Sequence, residues 1–225
     1  MMRQHMLQQL ACGIIALHHT HPLRVAIDGI DAAGKTTLAN ELAPLIEEHR
    51  RVVIRASIDG FQRPRAERYR QGPDSPQGYY EDAFDYASLR EALLQPLGPM
   101  GNGLYRRAVF DFRTDTPLAT REEHVPLNAV LLMDGVFLLR PELDHLWDYR
   151  IFVQVDFEIA LQRAMERDQP LFGDAEAVRT RYLQRYLPGQ QFYFQRDHPQ
   201  ERADVIVDNN EPASPHLRFP SRISD

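Results

Sequence analysis

Residues 26–40 read AIDGIDAAGKTTLAN, and within them Gly29, Gly34, Lys35 and Thr36 spell G-x-x-x-x-G-K-T. No other stretch restricts the fold so tightly. Its glycines let main-chain N–H groups converge on phosphate oxygens with no side chain in the way, and a helix opening at the lysine adds its partial positive charge. Such a loop works only where a strand delivers the chain and a helix carries it away. Both flanks are present: LRVAID (23–28) is a compact apolar run, and a helical stretch follows from Lys35 to about His49. Lys35 is the sole lysine of a chain whose other basic residues, histidines aside, are all arginine. A compact ammonium on a flexible stem reaches the β- and γ-phosphates and follows a transferred group, which a planar guanidinium in a tight loop does less well. The expected nucleotide cradle is Gly29, Ala32, Ala33, Gly34, Lys35, Thr36 and Thr37, with the Thr36 hydroxyl on Mg²⁺.

The rest of the chain alternates in the same manner. RVVIRASID (51–59), RRAVFDF (106–112), NAVLLMD (128–134), YRIFVQVD (149–156) and RADVIVD (202–208) read as strands. Helices are expected over 81–97, from about 157 through Arg167, and over 175–193. This pattern predicts an α/β fold, a doubly wound parallel sheet with helices on both faces. A chain of 225 residues suits one domain, expected over 1–210, with a proline- and serine-rich tail over 211–225. Met6, Leu10, Ile14 and Leu17 recur at helical spacing, so residues 1–20 are expected to open with an amphipathic helix rather than a cleavable signal. Cys12 lies in that helix and reads as a small core residue; as the only cysteine it allows no intrachain disulfide, which fits a reducing cytoplasm. A net charge of -6 argues against nucleic acid as a partner, and the longest apolar run, AVLLM (129–133), is far too short to span a membrane. A homo-oligomer is left open.

In parallel sheets chemistry gathers beyond the carboxyl ends of the strands. Two acidic residues stand there, Asp59 after the second apolar run and Asp134 after AVLLM. A GTPase of the Ras type would need N-K-x-D, for which no second lysine exists, and the L-S-G-G-Q of transporter ATPases is also absent. GIDAAGKTT, ASIDGF, YYEDAFD, LLMDG, RAMERD and ERADVIV, in that order from about residue 22 to 208, resemble the uridine kinase and phosphoribulokinase superfamily of P-loop kinases. That resemblance implies a P-loop fold with a small helical lid, here about 167–182, and phosphorylation of a small-molecule hydroxyl from ATP with Mg²⁺. It implies Asp59 as the group that accepts the hydroxyl proton, Asp134 as a metal ligand, and Arg167 or Arg163 as the lid arginine meeting γ-phosphate charge, Arg167 matching the motif more closely.

The acceptor end departs from the family pattern. Tyr79 stands where uridine kinases place an aspartate on the ribose hydroxyls, Phe110 and Asp115 fall at the tyrosine and histidine positions of the base reader, and LFGD (171–174) lacks the lid's further arginine, which Arg179 or Arg181 would have to supply. Tyr79, Tyr80 and Phe84 are expected either to stack on a ring or to belong to the core. Arg63, Arg65, Arg68 and Arg70 either hold an anionic acceptor or form a solvated loop paired with Glu67 and Asp74. The expected activity is therefore a kinase of a nucleoside hydroxyl; pantothenate or a sugar phosphate as acceptor, and an ATP-binding regulator without kinase activity, stay open.

Overall fold

The computed structural model describes residues 1–220. Its centre is a six-stranded sheet: β1 (Leu23–Gly29), β2 (Val53–Ser57), β3 (Val130–Asp134), β4 (Tyr149–Gln154), β5 (Val205–Asp208) and β6 (His216–Arg218). They lie in the order β6-β5-β4-β1-β3-β2, all parallel except β6, which runs antiparallel to β5. Alternate side chains serve opposite faces. Ala26, Leu131, Met133, Phe152 and Ile206 enter one apolar core, while Val25, Ile27, Leu132, Val153 and Val207 enter the other. Both faces being apolar, the strands read as unbroken Val/Ile/Leu runs rather than alternating ones.

Six helices matter here: α1 (Met2–Ile15), α2 (Lys35–Glu47), α3 (Pro76–Asp82), α4 (Phe157–Arg167), α5 (Ala175–Arg181) and α6 (Leu187–Asp197). Helix α1 buries Met6, Leu7, Leu10, Ala11 and Ile14. Cys12 turns the other way and is exposed, so its expected place in the core is wrong: the buried stripe passes through Leu10, Ala11 and Ile14 and leaves position 12 outside.

Three further expectations change. The run 106–112 gives no sheet strand; only Phe110–Asp111 pairs, with Thr116–Pro117, in a small separate hairpin. The sheet has no gap for it, since β3 is already hydrogen-bonded to β1 and β2. The helix expected over 81–97 starts earlier, where the Ser75 hydroxyl accepts from Gly78 N and Pro76 occupies the first turn, and it breaks at Asp85, whose carboxylate caps the next helix through Ser88 N. The segment expected as a loose tail instead supplies β6, while its last residues, 221–225, lie outside the described ones.

Candidate active site

The carboxyl ends of β1, β2 and β3 open into a cleft of about 630 Å³, a size suited to small ligands. Its floor is the loop between β1 and α2. The main chain there takes left-handed conformations at Ala32 (φ 59°) and Gly34 (φ 92°), which curl the loop into a cradle. A Cβ on Gly29 would lie 2.3 Å from the Val153 carbonyl oxygen, so only glycine fits where β1 leaves the sheet beside β4. Lys35 is buried beneath this loop, and its Nζ donates to Ile30 O at 2.6 Å. Burial presses the ammonium pKa down; Asp31, Asp28 and Asp134 oppose that and favour the charged form.

Two oxygen groups suited to a hard divalent cation meet beside it. Thr36 Oγ1 donates to Asp134 Oδ2 at 2.6 Å, and register places Asp134 between Ile27 of β1 and Ser57 of β2. Sequence reasoning missed the third member. Arg55, on the edge strand β2, donates from Nη2 to Asp134 Oδ1 at 2.8 Å and from Nη1 to Leu132 O at 2.6 Å. The only signal for it was an arginine inside an apolar strand.

Asp59 follows β2 in a short 3₁₀ turn and faces the same cleft. Its carboxylate is open to the solvent in the cleft, yet the walls strip enough water from it to raise its pKa above the ordinary value; a hydrogen bond from Gln62 Nε2, 2.9 Å to Oδ1, pulls the other way. Gln62 in turn accepts from Arg68 Nη1 at 2.6 Å.

The opposite wall comes from α3, the hairpin around Phe112, and a continuous helical run from α5 into α6. Between α5 and α6 one π-helical segment, Tyr182–Tyr186, shifts the helical phase and turns Tyr182, Arg185 and Tyr186 into the cleft. Tyr79 and Phe84 line the cleft as well; Tyr79 Oη donates to Asp31 Oδ2 at 2.9 Å. Tyr80 does not. It is 1 % exposed, donates to Asp197 Oδ2 at 2.5 Å and carries the Arg140 guanidinium 4.0 Å above its ring, so it is a core residue.

The arginines sort by partner. Arg167 lines the cleft with its guanidinium on Asp168, whose Oδ2 also accepts from Tyr182. Arg163 does not reach the cleft; it donates to Asn209 O and Asn210 O and ties α4 to the end of β5. Arg179 pairs with Glu176 and Arg181 with Asp74, so neither supplies the missing cleft arginine. Of the basic loop only Arg68 reaches the cleft. Arg63 is held by Phe84 O and Glu67, Arg65 borders the Tyr69 ring, and Arg70 pairs with Asp82. Asp115, at the left-handed tip of the hairpin (φ 56°), binds Arg65 N and Arg68 rather than facing a ligand. Arg113 and Arg185 line the cleft and were not anticipated; the signals for Arg185 were the repeated R-Y pairs of RYLQRY.

A glycine cradle at a helix N-terminus, a buried lysine, a hydroxyl–carboxylate pair and a separate carboxylate across one cleft define a P-loop kinase, a phosphotransferase acting on a hydroxyl group. The comparisons narrow this further. No family model matches the chain. It is 30% identical over 197 residues to the uridine kinase of Lactobacillus helveticus, covering 83% of this chain and 86% of that one. It is 31% identical over 154 residues to uridine-cytidine kinase B of Dictyostelium discoideum, covering 67% and 60% respectively. Among solved structures, a possible uridine kinase from Bacillus stearothermophilus superposes with a TM-score of 0.72 at 24% identity, over 92% of this chain and 99% of that one. A D-glycerate 3-kinase from Cryptococcus neoformans superposes with 0.57 at 14%, over 95% and 99%, a likeness of fold. The chain belongs to the uridine kinase family.

Proposed function

We propose that this chain transfers the γ-phosphate of ATP to a hydroxyl of a nucleoside. The observation that carries the reading is one cleft lined together by the phosphate cradle, Asp59 and the rings of Tyr79 and Phe84. The oxygens of Thr36 and Asp134 would hold Mg²⁺, which would supply positive charge against the negative charge of the phosphates. Lys35, released from Ile30 O, moves onto the phosphates. Asp59, its pKa raised, takes the proton of the attacking hydroxyl. Arg167 meets the charge of the transferred group from the lid side, and its pairing with Asp168 keeps it aimed across the cleft.

With Tyr79 in the place of the ribose-reading aspartate, ring stacking carries most of the recognition, so uridine and cytidine serve with similar, modest efficiency. Among the described residues no helix is long and apolar enough to cross a membrane, and the reaction is proposed to run in the cytoplasm. ADP release in the presence of each nucleoside tests the reading. Acceleration by nucleosides supports it; tight ATP binding with no acceleration by any hydroxyl compound would instead make the protein an ATP-binding regulator.

A further inference from the structure

The acceptor end of the cleft holds more positive charge than a neutral nucleoside uses. Arg185 is 2 % exposed, and its guanidinium donates to four main-chain carbonyls, those of Arg68, Gly72, Pro73 and Ser75, and, among the described residues, to no carboxylate. Burial accordingly lowers its pKa, with the Arg181 charge nearby adding to that. A buried cation with only neutral partners is costly unless something anionic comes to it.

Arg68 stands beside it. Both guanidiniums flank the Tyr69 ring, at 4.8 Å for Arg185 and 5.7 Å for Arg68. Arg68 Nε is buried without a hydrogen-bond partner, although Nη1 and Nη2 are engaged by Gln62 and Asp115. Arg113, exposed on the same hairpin as Asp115, lines the cleft near the Phe112 ring and forms no carboxylate ion pair among the described residues. Two carboxylates stand near this group. Asp115, at the hairpin tip, pairs with Arg68 alone of the three, at 3.3 Å. Asp59 lies one glutamine away and is committed to the acceptor hydroxyl, which leaves Arg185 and Arg113 without a carboxylate ion pair among the described residues.

We infer that Arg68, Arg185 and Arg113 form an anion subsite in the acceptor lobe, which takes a carboxylate or phosphate carried by the acceptor close to its reactive hydroxyl. The inference rests on the kinase reading above and deepens it: the preferred nucleoside is an anionic one. The relay Asp59–Gln62–Arg68 sets the spacing, with the hydroxyl at one end of a glutamine side chain and the anion at the other. A guanidinium suits either anion through paired N–H donors.

The test measures kcat/KM for ADP release by the full chain with uridine, uridine 3′-phosphate and orotidine, with D-glycerate and ribulose 5-phosphate alongside. Uridine 3′-phosphate keeps the 5′-hydroxyl and adds a phosphate; orotidine adds a carboxylate. The expected result is at least about a tenfold preference for one of these anions over uridine, as one charge-assisted contact provides. Which of the two gains tells phosphate from carboxylate. In Arg68→Gln and, separately, Arg113→Gln the ratio falls toward one. Arg113 is exposed, so its variant keeps the test sound even where Arg185→Gln fails to fold. A ratio at or below one in the parent protein, or one that both variants leave intact, overturns the subsite while the nucleoside reading stands. Acceptance of only the non-nucleoside anions, with the same arginine dependence, upholds the subsite and overturns the nucleoside reading.

Discussion

The two ends of the cleft are built differently. The donor end comes from one short segment, residues 29–37, plus single residues at the ends of neighbouring strands. The acceptor end is assembled from three separated stretches, the loop after β2 with α3, the hairpin around Phe112, and the π-helical segment Tyr182–Tyr186. Chemistry that needs fixed phosphate geometry is met by a local motif. Recognition of the acceptor is met by side chains that no local pattern brings together, and so that end is free to diverge while the donor end is not.

The largest effect that tests this contrast falls where the ends meet. Asp59→Asn keeps the shape and removes the proposed proton acceptor, so kcat should fall by roughly 10²–10⁴ with ATP affinity little changed. Loss of ATP binding in step with turnover, measured by titration calorimetry, would assign Asp59 to the donor end and collapse the division. Next is Lys35→Ala, expected to cost about 10²–10³ in kcat, because a charge aimed at the transferred group acts mainly in the transition state. As the sole lysine, Lys35 also offers a chemical version of the test: an amine-directed reagent should inactivate the protein, and MgATP should protect it. Undiminished turnover in Lys35→Ala would remove the basis for the donor end.

How far each end was legible in the sequence follows from the same contrast. Gly29 through Thr37 could be placed by inspection because strand, loop and helix are contiguous there, and Asp134 because a parallel strand ends in it. Asp59 was legible for the same reason. Arg163 and Arg167 sit one helical turn apart, yet only Arg167 meets the cleft: Arg163 is captured by the carbonyls of Asn209 and Asn210, 46 and 47 residues away. Tyr79 and Tyr80 are adjacent, and helix geometry sends one to the cleft and the other to Asp197. Arg185 was hidden by the π segment, which breaks the 3.6-residue phase on which a face assignment rests. β6 was hidden because its pairing with β5 outweighs the loop-like composition of PHLRFP.

A smaller effect concerns Mg²⁺. Asp134→Asn removes half of the hydroxyl–carboxylate pair and should raise the Mg²⁺ concentration for half-maximal activity about tenfold. Arg55→Leu should lower it by about threefold, since the guanidinium 2.8 Å from Oδ1 offsets the carboxylate charge that a cation would use. If Arg55→Leu raises the requirement instead, Arg55 serves by aiming Asp134, and the edge strand β2 belongs to the donor machinery more deeply than a charge balance implies.

The smallest effect sharpens the boundary itself. Gln62 joins the ends, donating to Asp59 and accepting from Arg68. Gln62→Met keeps the length of the side chain and deletes both hydrogen bonds. The Asp59 pKa is raised chiefly by desolvation; the Gln62 bond is the larger of the two influences that lower it, the Lys35 charge being the other. In the proposed role Asp59 must be ionised to accept a proton, so kcat/KM should fall as pH drops through its pKa, which is raised above the ordinary carboxylate value. Without Gln62 that pKa rises further, and the acid limb of the pH–rate profile moves to higher pH. At the alkaline plateau, where Asp59 is ionised in both proteins, the loss should be no more than about threefold, the scale of one ordinary hydrogen bond. A plateau loss near that of Asp59→Asn with an unmoved acid limb would mean that Gln62 holds the acceptor directly. The line between the two ends would then run between Asp59 and Gln62, with no relay joining the base to the arginines beyond it.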